Sequence, residues 1–463
     1  MPAVARSRSS PARRSSWWGT SEAVATMPPA AYPRPHRPPR YRLAAALGGG
    51  ILAVVLLGSV VDLAAFRSGV ALLDLAGLIL VGLFAAGTWL VIRAVDHEPQ
   101  KRTRHLVRAG IVLALALGLF LFGVNLLNAR LNVIGVLASL PTTGLALYLL
   151  RRVDYNEREP WRLVLVAAGW GAVVATTLAL IFESLWSYTI DAGLIPGPGQ
   201  AVATAFNAAI FEEVPKGLAV VLLYLVMRDE FDDVVDGAIY GAAVGLGFNF
   251  METVVYMSVG GFPQWVFRQL LGLFLGHATY TALIGAGVGV ARQVRGRAQK
   301  LIAIGSGFVI AIAAHFAWDA WLWYFPHPSD PGLLVLSIPL QYLAMTGPFA
   351  IAVAALVLLG LRAEGRALTA ELAAEAELPD GGVLPAEVPI LASPGRRIEA
   401  RFRALRRYGL RGYLWMRKLQ RAQLDLAMER WHRRRQELDS PLEAELKLRD
   451  RVLAIRSGRK APS

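Results

Sequence analysis

The chain has 463 residues, of which 55% are hydrophobic and 18% charged, and its mean hydropathy is +0.44. Soluble domains carry about a quarter charged residues, so this composition excludes an ordinary soluble enzyme and indicates an integral membrane protein. The formal net charge of +14 is accounted for by basic tails and loops and predicts no nucleic-acid partner, while the absence of cysteine excludes disulfides, thiolate metal sites and a cysteine nucleophile.

The first 42 residues are rich in proline, arginine and serine and predict a disordered basic tail, 1–42. A transmembrane domain is predicted over 43–362, because a helix of roughly 20 apolar residues crosses the ~30 Å hydrocarbon layer. The predicted fold class is all-α, a polytopic helical membrane protein with about ten transmembrane helices. The apolar segments are 43–66, 69–92, 109–128, 131–150, 163–185, 201–227, 237–258, 267–291, 301–324 and 333–361.

Lysine and arginine set the orientation, because they favour cytoplasmic loops. Every second loop is basic, as at 101–108, 151–162 and 292–300, whereas the other loops hold single arginines such as Arg268 or none. The acidic loop 228–236 adds nothing to this pattern. Both termini are therefore predicted to be cytoplasmic, in a multi-pass protein of the cell membrane.

A charged, helical and cytoplasmic C-terminal region is predicted over 363–463. Basic residues dominate 396–418, where Tyr408, Tyr413 and Trp415 lie among them. This composition predicts a helix against the anionic inner leaflet of the bilayer.

The stretch "FEEVPKG" interrupts an apolar segment with Glu212, Glu213 and Lys216. A charged side chain at mid-bilayer costs ~2.5–3.5 kcal/mol, so these three are expected to face an internal, water-accessible cavity. Their spacing of three and four residues lets Lys216 reach either carboxylate on one helix face. Pro215 removes one hydrogen bond from the same helix.

Further ionisable groups occur on the next three predicted helices. Glu252 lies in "GFNFMETVVY", His277 in "GHATYTA", and His315 and Asp319, four residues apart, in "HFAWDAW". Counted from the predicted outer ends of the helices, all these groups share one layer at ~1.5 Å per residue. The sequence therefore predicts one polar cluster in the outer half of the membrane.

Such a cluster is typical of more than one chemistry. A carboxylate can act as general base on water in a hydrolase, and His277, His315 and a glutamate such as Glu252 would suit zinc. The same residues would equally suit a proton- or ion-coupled transporter, or a structural polar network in a scaffold. Glu183, beside Trp186, is interpreted as a residue that snorkels to the interface. Gly237, Gly241 and Gly245 are interpreted as a close helix contact.

The motifs "EEVPKG", "DGAIYGAAVGLGFNFMETVVY", "GHATYTA" and "HFAWDAW", in this order on successive helices, resemble the PrsW family of intramembrane proteases, which is distantly related to the prenyl-protein (CAAX) endopeptidases. The segment "YNEREPW" upstream also looks like the family's acidic, proline-containing segment. The resemblance covers roughly 140–325.

The resemblance implies hydrolysis of peptide bonds within or near the membrane, with single-span regulatory proteins such as anti-sigma factors as substrates. It implies a bacterial signalling protease of glutamic or metallo type, with zinc left open. It also marks one departure, because the family commonly has Asn after the FxxxE glutamate and Thr253 stands there. The residues carried over as catalytic are Glu212, Glu213, Lys216, Glu252, His277, His315 and Asp319.

The predicted mechanism uses Glu212 or Glu213 as the general base, with the other carboxylate paired to Lys216. Glu252 and His277 hold or polarise the water or share a metal with His315, which supplies an oxyanion contact or a further ligand. The depth of the layer predicts cleavage near the extracytoplasmic boundary of the membrane.

Overall fold

A computed structural model describes residues 129–191, 199–227, 231–324, 330–434 and 442–458, with a few single residues in 118–127 and at 193 and 197. Every regular element in these ranges is helical. The predicted tail 1–42, the predicted spans 43–66 and 69–92 and most of 109–128 lie outside the described residues.

After the first helix, three helical elements follow one another without a gap between residues 161 and 191. The first helices are α1 (Val133–Leu150), α2 (Trp161–Gly169), a π-helical segment (Trp170–Ala175) and α3 (Thr176–Asp191). The central helices are α4 (Gly199–Val226), α5 (Val234–Gly260), α6 (Phe262–Trp265), a second π-helical segment (Val266–Leu271), α7 (His277–Gln293) and α8 (Arg297–Tyr324). The last are α9 (Pro331–Met345), α10 (Gly347–Ala376), α11 (Val388–Leu391), α12 (Pro394–Arg434) and α13 (Leu442–Ser457).

Five helical stretches of the described chain are long and apolar enough to cross a membrane. Their side chains include many large apolar groups that are exposed on the protein surface, as expected for contact with lipid. The chain is therefore a membrane protein that is all-helical over the described residues, while the count of ten spans and the cytoplasmic termini stay predictions. The five stretches are Val133–Leu150, Trp161–Glu183, Val234–Gly260, Arg297–Tyr324 and Gly347–Ala376.

Two predicted spans differ from the observed helices. The span expected over 267–291 becomes a continuous helix only at His277, because Gly276 before it has non-helical dihedral angles (φ −171°, ψ −130°). The span expected over 333–361 is divided at Thr346, directly before Gly347 and Pro348. Proline cannot donate to the preceding turn, so a helix begins there rather than continuing.

Helix α5 forms the centre of the bundle and is buried along most of its length. A Cβ on Gly237, Gly241 or Gly245 would lie 2.1, 2.3 or 2.2 Å from a backbone oxygen of α7. The expected close contact of this glycine stripe is confirmed. The carbonyl nearest Gly245 belongs to His277, so the stripe fixes the position of a candidate site residue.

We expect Gly245→Ala to reduce both stability and activity. The new methyl group would force the start of α7 away from α5, and overpacking of this kind costs roughly 1–3 kcal/mol. The free energy of unfolding, measured by SDS titration of the purified protein, should fall by that amount. Gly305→Ala is the matched control, because a Cβ there meets nothing within 4 Å. Equal stability of the two variants would contradict the contact.

The C-terminal region folds against the end of α10. That helix continues without a break from its apolar part to Ala376, where Leu368 and Leu372 begin a second small core with Leu424 of α12. Arg449 of α13 makes two hydrogen bonds to Glu375. The region is thus a packed helical unit rather than a free helix.

Helix α12 is a helical hairpin. Gly409 at its middle has left-handed dihedral angles (φ 65°, ψ −163°), which glycine adopts at little cost. The two arms face each other, because Arg401 donates to Gln420 and the rings of Phe402 and Tyr413 are in contact. The tip of the hairpin therefore lies at Gly409.

Candidate active site

The ammonium group of Lys216 lies at the centre of the polar cluster. Its Nζ donates to Glu212 Oε2 at 2.9 Å and to Glu213 Oε1 at 2.8 Å, and it lies 2.9 Å from Nδ1 of His277. The ring of Phe248 covers the ammonium at 3.6 Å. Lys216 and Glu213 have no exposed surface, so these charges are stabilised by one another rather than by water.

The local sequence explains this arrangement. Helix α4 runs unbroken through Pro215, so Glu212, Glu213 and Lys216 keep the regular helical spacing that brings both carboxylates to one ammonium. The proline removes a single backbone donor and does not interrupt the helix.

His277 connects the lysine to a second ion pair. Its Nε2 lies 2.6 Å from Oε2 of Glu252, and Nη1 of Arg268 lies 2.6 Å from the same oxygen. The guanidinium group of Arg268 stacks over Tyr256 at 4.0 Å. Both ring nitrogens of His277 are therefore engaged, one by Lys216 and one by Glu252.

His315 closes the cluster from α8. Its Nδ1 lies 3.1 Å from Glu213 Oε1, and its Nε2 lies 3.5 Å from Asp319 Oδ2 and 3.8 Å from Glu212 Oε2. The ring stacks on Tyr280 with centroids 5.2 Å apart. The structure thus places all seven predicted residues in one connected network: Glu212, Glu213, Lys216, Glu252, His277, His315 and Asp319.

A cavity of about 640 Å³ adjoins this network. Glu212 lines it together with Glu252, His277, His315 and Asp319, whereas Glu213 does not reach it. The sequence left the two adjacent glutamates equivalent, and the structure separates them by their access to the cavity.

The cavity lies toward one end of the bundle. Measured along the helices from Gly199, Gly260 and Tyr324, the carboxylates and His315 lie about 8–20 Å deep at 1.5 Å per residue. Residues close to the same end, Gln264 and Trp323, line the outer part of the cavity.

Several cavity residues escaped the sequence analysis. Arg268 was interpreted as a loop arginine, yet it pairs with Glu252. Glu183 was interpreted as a snorkelling residue, which was wrong, because it lines the cavity beside Glu212. Asn249 and Tyr280 also line it, and only their intramembrane positions could have indicated a role.

Thr253, which stands where the family commonly has asparagine, does not line the cavity. Its hydroxyl donates to the carbonyl of Asn249 at 2.6 Å and accepts from Gln269 at 3.0 Å, and the side chain is fully buried. Asn249, one turn earlier on the same helix, brings a side-chain amide to the cavity instead.

The positions of the possible ligand atoms decide whether a metal ion fits the cluster. Ligand atoms of Glu212, Glu213, His277 and His315 lie within 4.8 Å of one another, while Glu252 is outside this group because it binds the far nitrogen of His277. However, Nζ of Lys216 already contacts three of the four donors at 2.8–2.9 Å. A resident ammonium takes the place of a dication, so the residues as arranged do not fit a metal, and the predicted trio Glu252, His277 and His315 does not converge.

Comparison with known proteins decides the family. The sequence model of the PrsW family intramembrane metalloproteases matches residues 159–353. Protease PrsW of Geobacillus kaustophilus is 30% identical over 184 residues, which cover 39% of this chain and 76% of that protein. The chain belongs to the PrsW family. Protease PrsW of Bacillus subtilis is 27% identical over 139 residues, which cover 30% of this chain and 60% of that protein, and no solved structure matches.

Membership of the PrsW family makes this chain a bacterial membrane protease. The matched region begins in the α1–α2 loop and contains every residue of the network described above. It ends within α10, so the C-terminal region of this PrsW-family protein lies outside the match.

Arg268 is expected to be a positioning residue for Glu252. Arg268→Gln removes the ion pair and should lower the rate of substrate cleavage by about 10²-fold, since small misplacements of a site can cost that much. Arg268→Lys keeps the charge and should recover part of the rate. The measurement is kcat and KM on one cleavable substrate for the three proteins. Equal rates for wild type and Arg268→Gln would contradict the role.

Proposed function

We propose that this PrsW-family protein is an intramembrane endopeptidase that cleaves membrane-spanning regulatory proteins near their extracytoplasmic boundary. The observation that carries the proposal is a carboxylate, Glu212, which lines a cavity and is held by Lys216 next to two imidazoles. A water molecule in that cavity would meet a base and hydrogen-bond donors at the same place.

Glu212 is the general base of the proposed reaction. It takes a proton from water, and the water oxygen forms a bond to the carbonyl carbon of the scissile peptide. When the C–N bond breaks, Glu212 returns the proton to the leaving nitrogen, so the carboxylate is regenerated. Glu213, which does not reach the cavity, holds Lys216 and His315 in position.

His315 is placed to stabilise the oxyanion. Glu213 fixes its Nδ1, and Nε2 lies beside Asp319 and Glu212 at the cavity. From Nε2 a protonated ring donates to the oxygen that becomes negative in the transition state. Asp319 orients the ring and balances its charge.

Glu252 and His277 form the second side of the proposed site. Their contact at 2.6 Å orients the imidazole, and Arg268 holds the carboxylate. This pair supports the position of Lys216 and, through it, of the base. The resident ammonium favours glutamate-activated water over a metal-held water in this proposal.

The position of the cavity supports the proposed place of cleavage, and the family supports the proposed substrate class. The cavity lies toward the end of the bundle that the basic-loop pattern predicts to be extracytoplasmic. A substrate helix that frays at that boundary could present an extended peptide bond to Glu212. Single-span proteins such as anti-sigma factors are the substrates that the family resemblance indicates.

The test is cleavage of a panel of single-span membrane proteins by the purified full chain in nanodiscs. The proposal expects product fragments whose termini, mapped by mass spectrometry, lie near the extracytoplasmic boundary. Glu212→Gln should lower the yield of product by at least about 10²-fold, while Glu364→Gln, a buried glutamate outside the network, should cut normally.

A chelator added to each reaction tests the metal. Cleavage that persists agrees with the ammonium-centred site, and cleavage that stops and returns with zinc would overturn the metal-free mechanism. Cleavage by Glu212→Gln at the wild-type rate would overturn the assignment of the base. Fragments cut on the cytoplasmic side would overturn the proposed boundary.

A further inference from the structure

Six arginines from two distant parts of the chain gather where α1 ends. Three come from the α1–α2 loop and three from the two arms of the α12 hairpin. Among the described residues, the one carboxylate that pairs with this arginine cluster is Asp425, 3.5 Å from Arg421. The arginine cluster consists of Arg151, Arg152, Arg158, Arg401, Arg417 and Arg421.

Hydrogen bonds hold the two parts together. Arg397 of the hairpin donates to the carbonyl of Tyr155 at 3.0 Å and to the side chain of Asn156 at 3.2 Å. Arg158 and Arg421 line one cavity of about 310 Å³, which Glu157 and Asp425 also line. The gathering of arginines is therefore fixed by the fold.

The closeness of these like charges affects the pKa values of two of the arginines. Burial, followed by the charge of Arg152, lowers the pKa of Arg158, and burial, followed by Arg421, lowers the pKa of Arg151. Like charges disfavour one another in this way, and Glu159 offsets only part of the effect at Arg151. An anion bound among them would relieve the repulsion.

The first arm of the hairpin approaches the end of α1. Arg397 lies beside residues 155–156. Arg401, one turn nearer the tip, is within electrostatic range of Arg152. Arg152 follows directly after the end of the membrane-spanning helix α1. The first arm of the hairpin therefore runs from residues 155–156 toward the end of α1.

The tip has the surface expected of a membrane contact. Tyr408 and Leu410, on either side of Gly409, are 66% and 65% exposed, and Phe402, Leu414 and Trp415 are also exposed. Large apolar side chains exposed together are unusual on a soluble surface. Alternating with arginines, they match the interfacial layer of a bilayer, where apolar groups enter the acyl boundary and cations meet phosphates.

We propose that the α12 hairpin inserts its tip into the bilayer interface and that the arginine cluster binds the headgroup of an anionic phospholipid between the hairpin and the α1–α2 loop. The lipid phosphate adds negative charge to a cluster in which Asp425 pairs with Arg421 and Glu159 acts on Arg151. The site lies outside the region matched by the PrsW family and is independent of the proposed catalysis.

The chain has no cysteine, which allows a clean test with a single label. Leu410→Cys, carrying a polarity-sensitive fluorophore, reports the tip, and Leu446→Cys on α13, 45% exposed, is the matched control position. The full-length protein in zwitterionic detergent is titrated with phosphatidylglycerol, phosphatidylcholine or inorganic phosphate. We expect a blue shift at position 410 with phosphatidylglycerol alone, and none at position 446.

The arginines are tested in the same assay. Arg152→Gln with Arg417→Gln should raise the phosphatidylglycerol concentration for half of the shift by about 30-fold, since each arginine near an anionic surface contributes ~1 kcal/mol. Arg297→Gln at the start of α8, outside the arginine cluster, should change it less than about 2-fold. Far-UV circular dichroism and the label at position 446 check that each variant remains folded.

Four results would overturn the proposal. An unchanged spectrum at position 410 in every lipid would show that the tip stays in water. An equal shift with phosphatidylcholine would show that binding does not need an anionic headgroup. An equal shift with inorganic phosphate would show that the ligand is a soluble anion rather than a lipid. A folded double variant with wild-type lipid affinity would show that the arginine cluster does not bind the lipid.

Discussion

Glu212→Gln is expected to lower the rate of peptide cleavage by about 10²–10⁴-fold, the usual contribution of a general base. The amide cannot take a proton from water, but it keeps the shape of the side chain and one acceptor for Lys216. The variant should therefore stay folded and bind substrate. Single-turnover cleavage and substrate binding, measured on the same preparation, separate these effects.

Glu213→Gln is the matched comparison, because the two glutamates are adjacent and both contact Lys216. Glu213 is fully buried, away from the cavity, and also contacts His315 and Thr281. Loss of the Glu213 carboxylate should chiefly lower the stability of the protein. It should also reduce activity, because His315 is no longer held in position. A Glu213→Gln protein that is stable and inactive, beside an active Glu212→Gln protein, would reverse the assignment.

Lys216→Met is expected to lower the free energy of unfolding by about 3–5 kcal/mol, the usual cost of removing one partner of a buried ion pair. Methionine fills a similar volume but leaves Glu212 and Glu213 buried without their shared cation. SDS titration of the purified protein measures the change. Lys300→Met, at the start of α8, is a control for the loss of one positive charge.

The triple variant Glu212→Gln, Glu213→Gln and Lys216→Met tests the reason for that loss. With all three charges removed, no carboxylate is left uncompensated, and most of the stability should return. A triple variant as unstable as Lys216→Met would show that shape, rather than charge, fixes the lysine. Stability of Lys216→Met equal to that of wild type would contradict the central role of the ammonium.

Much of the site was predictable because charges in an apolar helix are costly. Glu212, Glu213, Lys216, Glu252 and the two histidines stand out from their segments for that reason alone. Helical spacing then predicts which of them share a face.

One missed residue, Arg268, lies where the chain is irregular, whereas Glu183, Asn249 and Tyr280 lie in regular helices. Arg268 is in a π-helical segment between α6 and α7, which apolar periodicity does not reveal, so it passed for a loop residue. The difference between Glu212 and Glu213 depends on which side chain meets the cavity, and adjacent identical residues carry no such signal. The α12 hairpin depends on one left-handed glycine, Gly409, within a long helical pattern.

Helix α10 is a long, unbroken helix that connects the C-terminal region with the surroundings of the candidate site. Its 30 residues form one unbroken rod of about 45 Å, with Leu368 and Leu372 in the C-terminal core at one end and Phe349 and Val353 against the packing around Tyr280 at the other. Tyr280 in turn stacks on His315. Because an α-helix is stiff, a rotation of the C-terminal region would turn Phe349 and Val353 against Tyr280, the residue that stacks on His315.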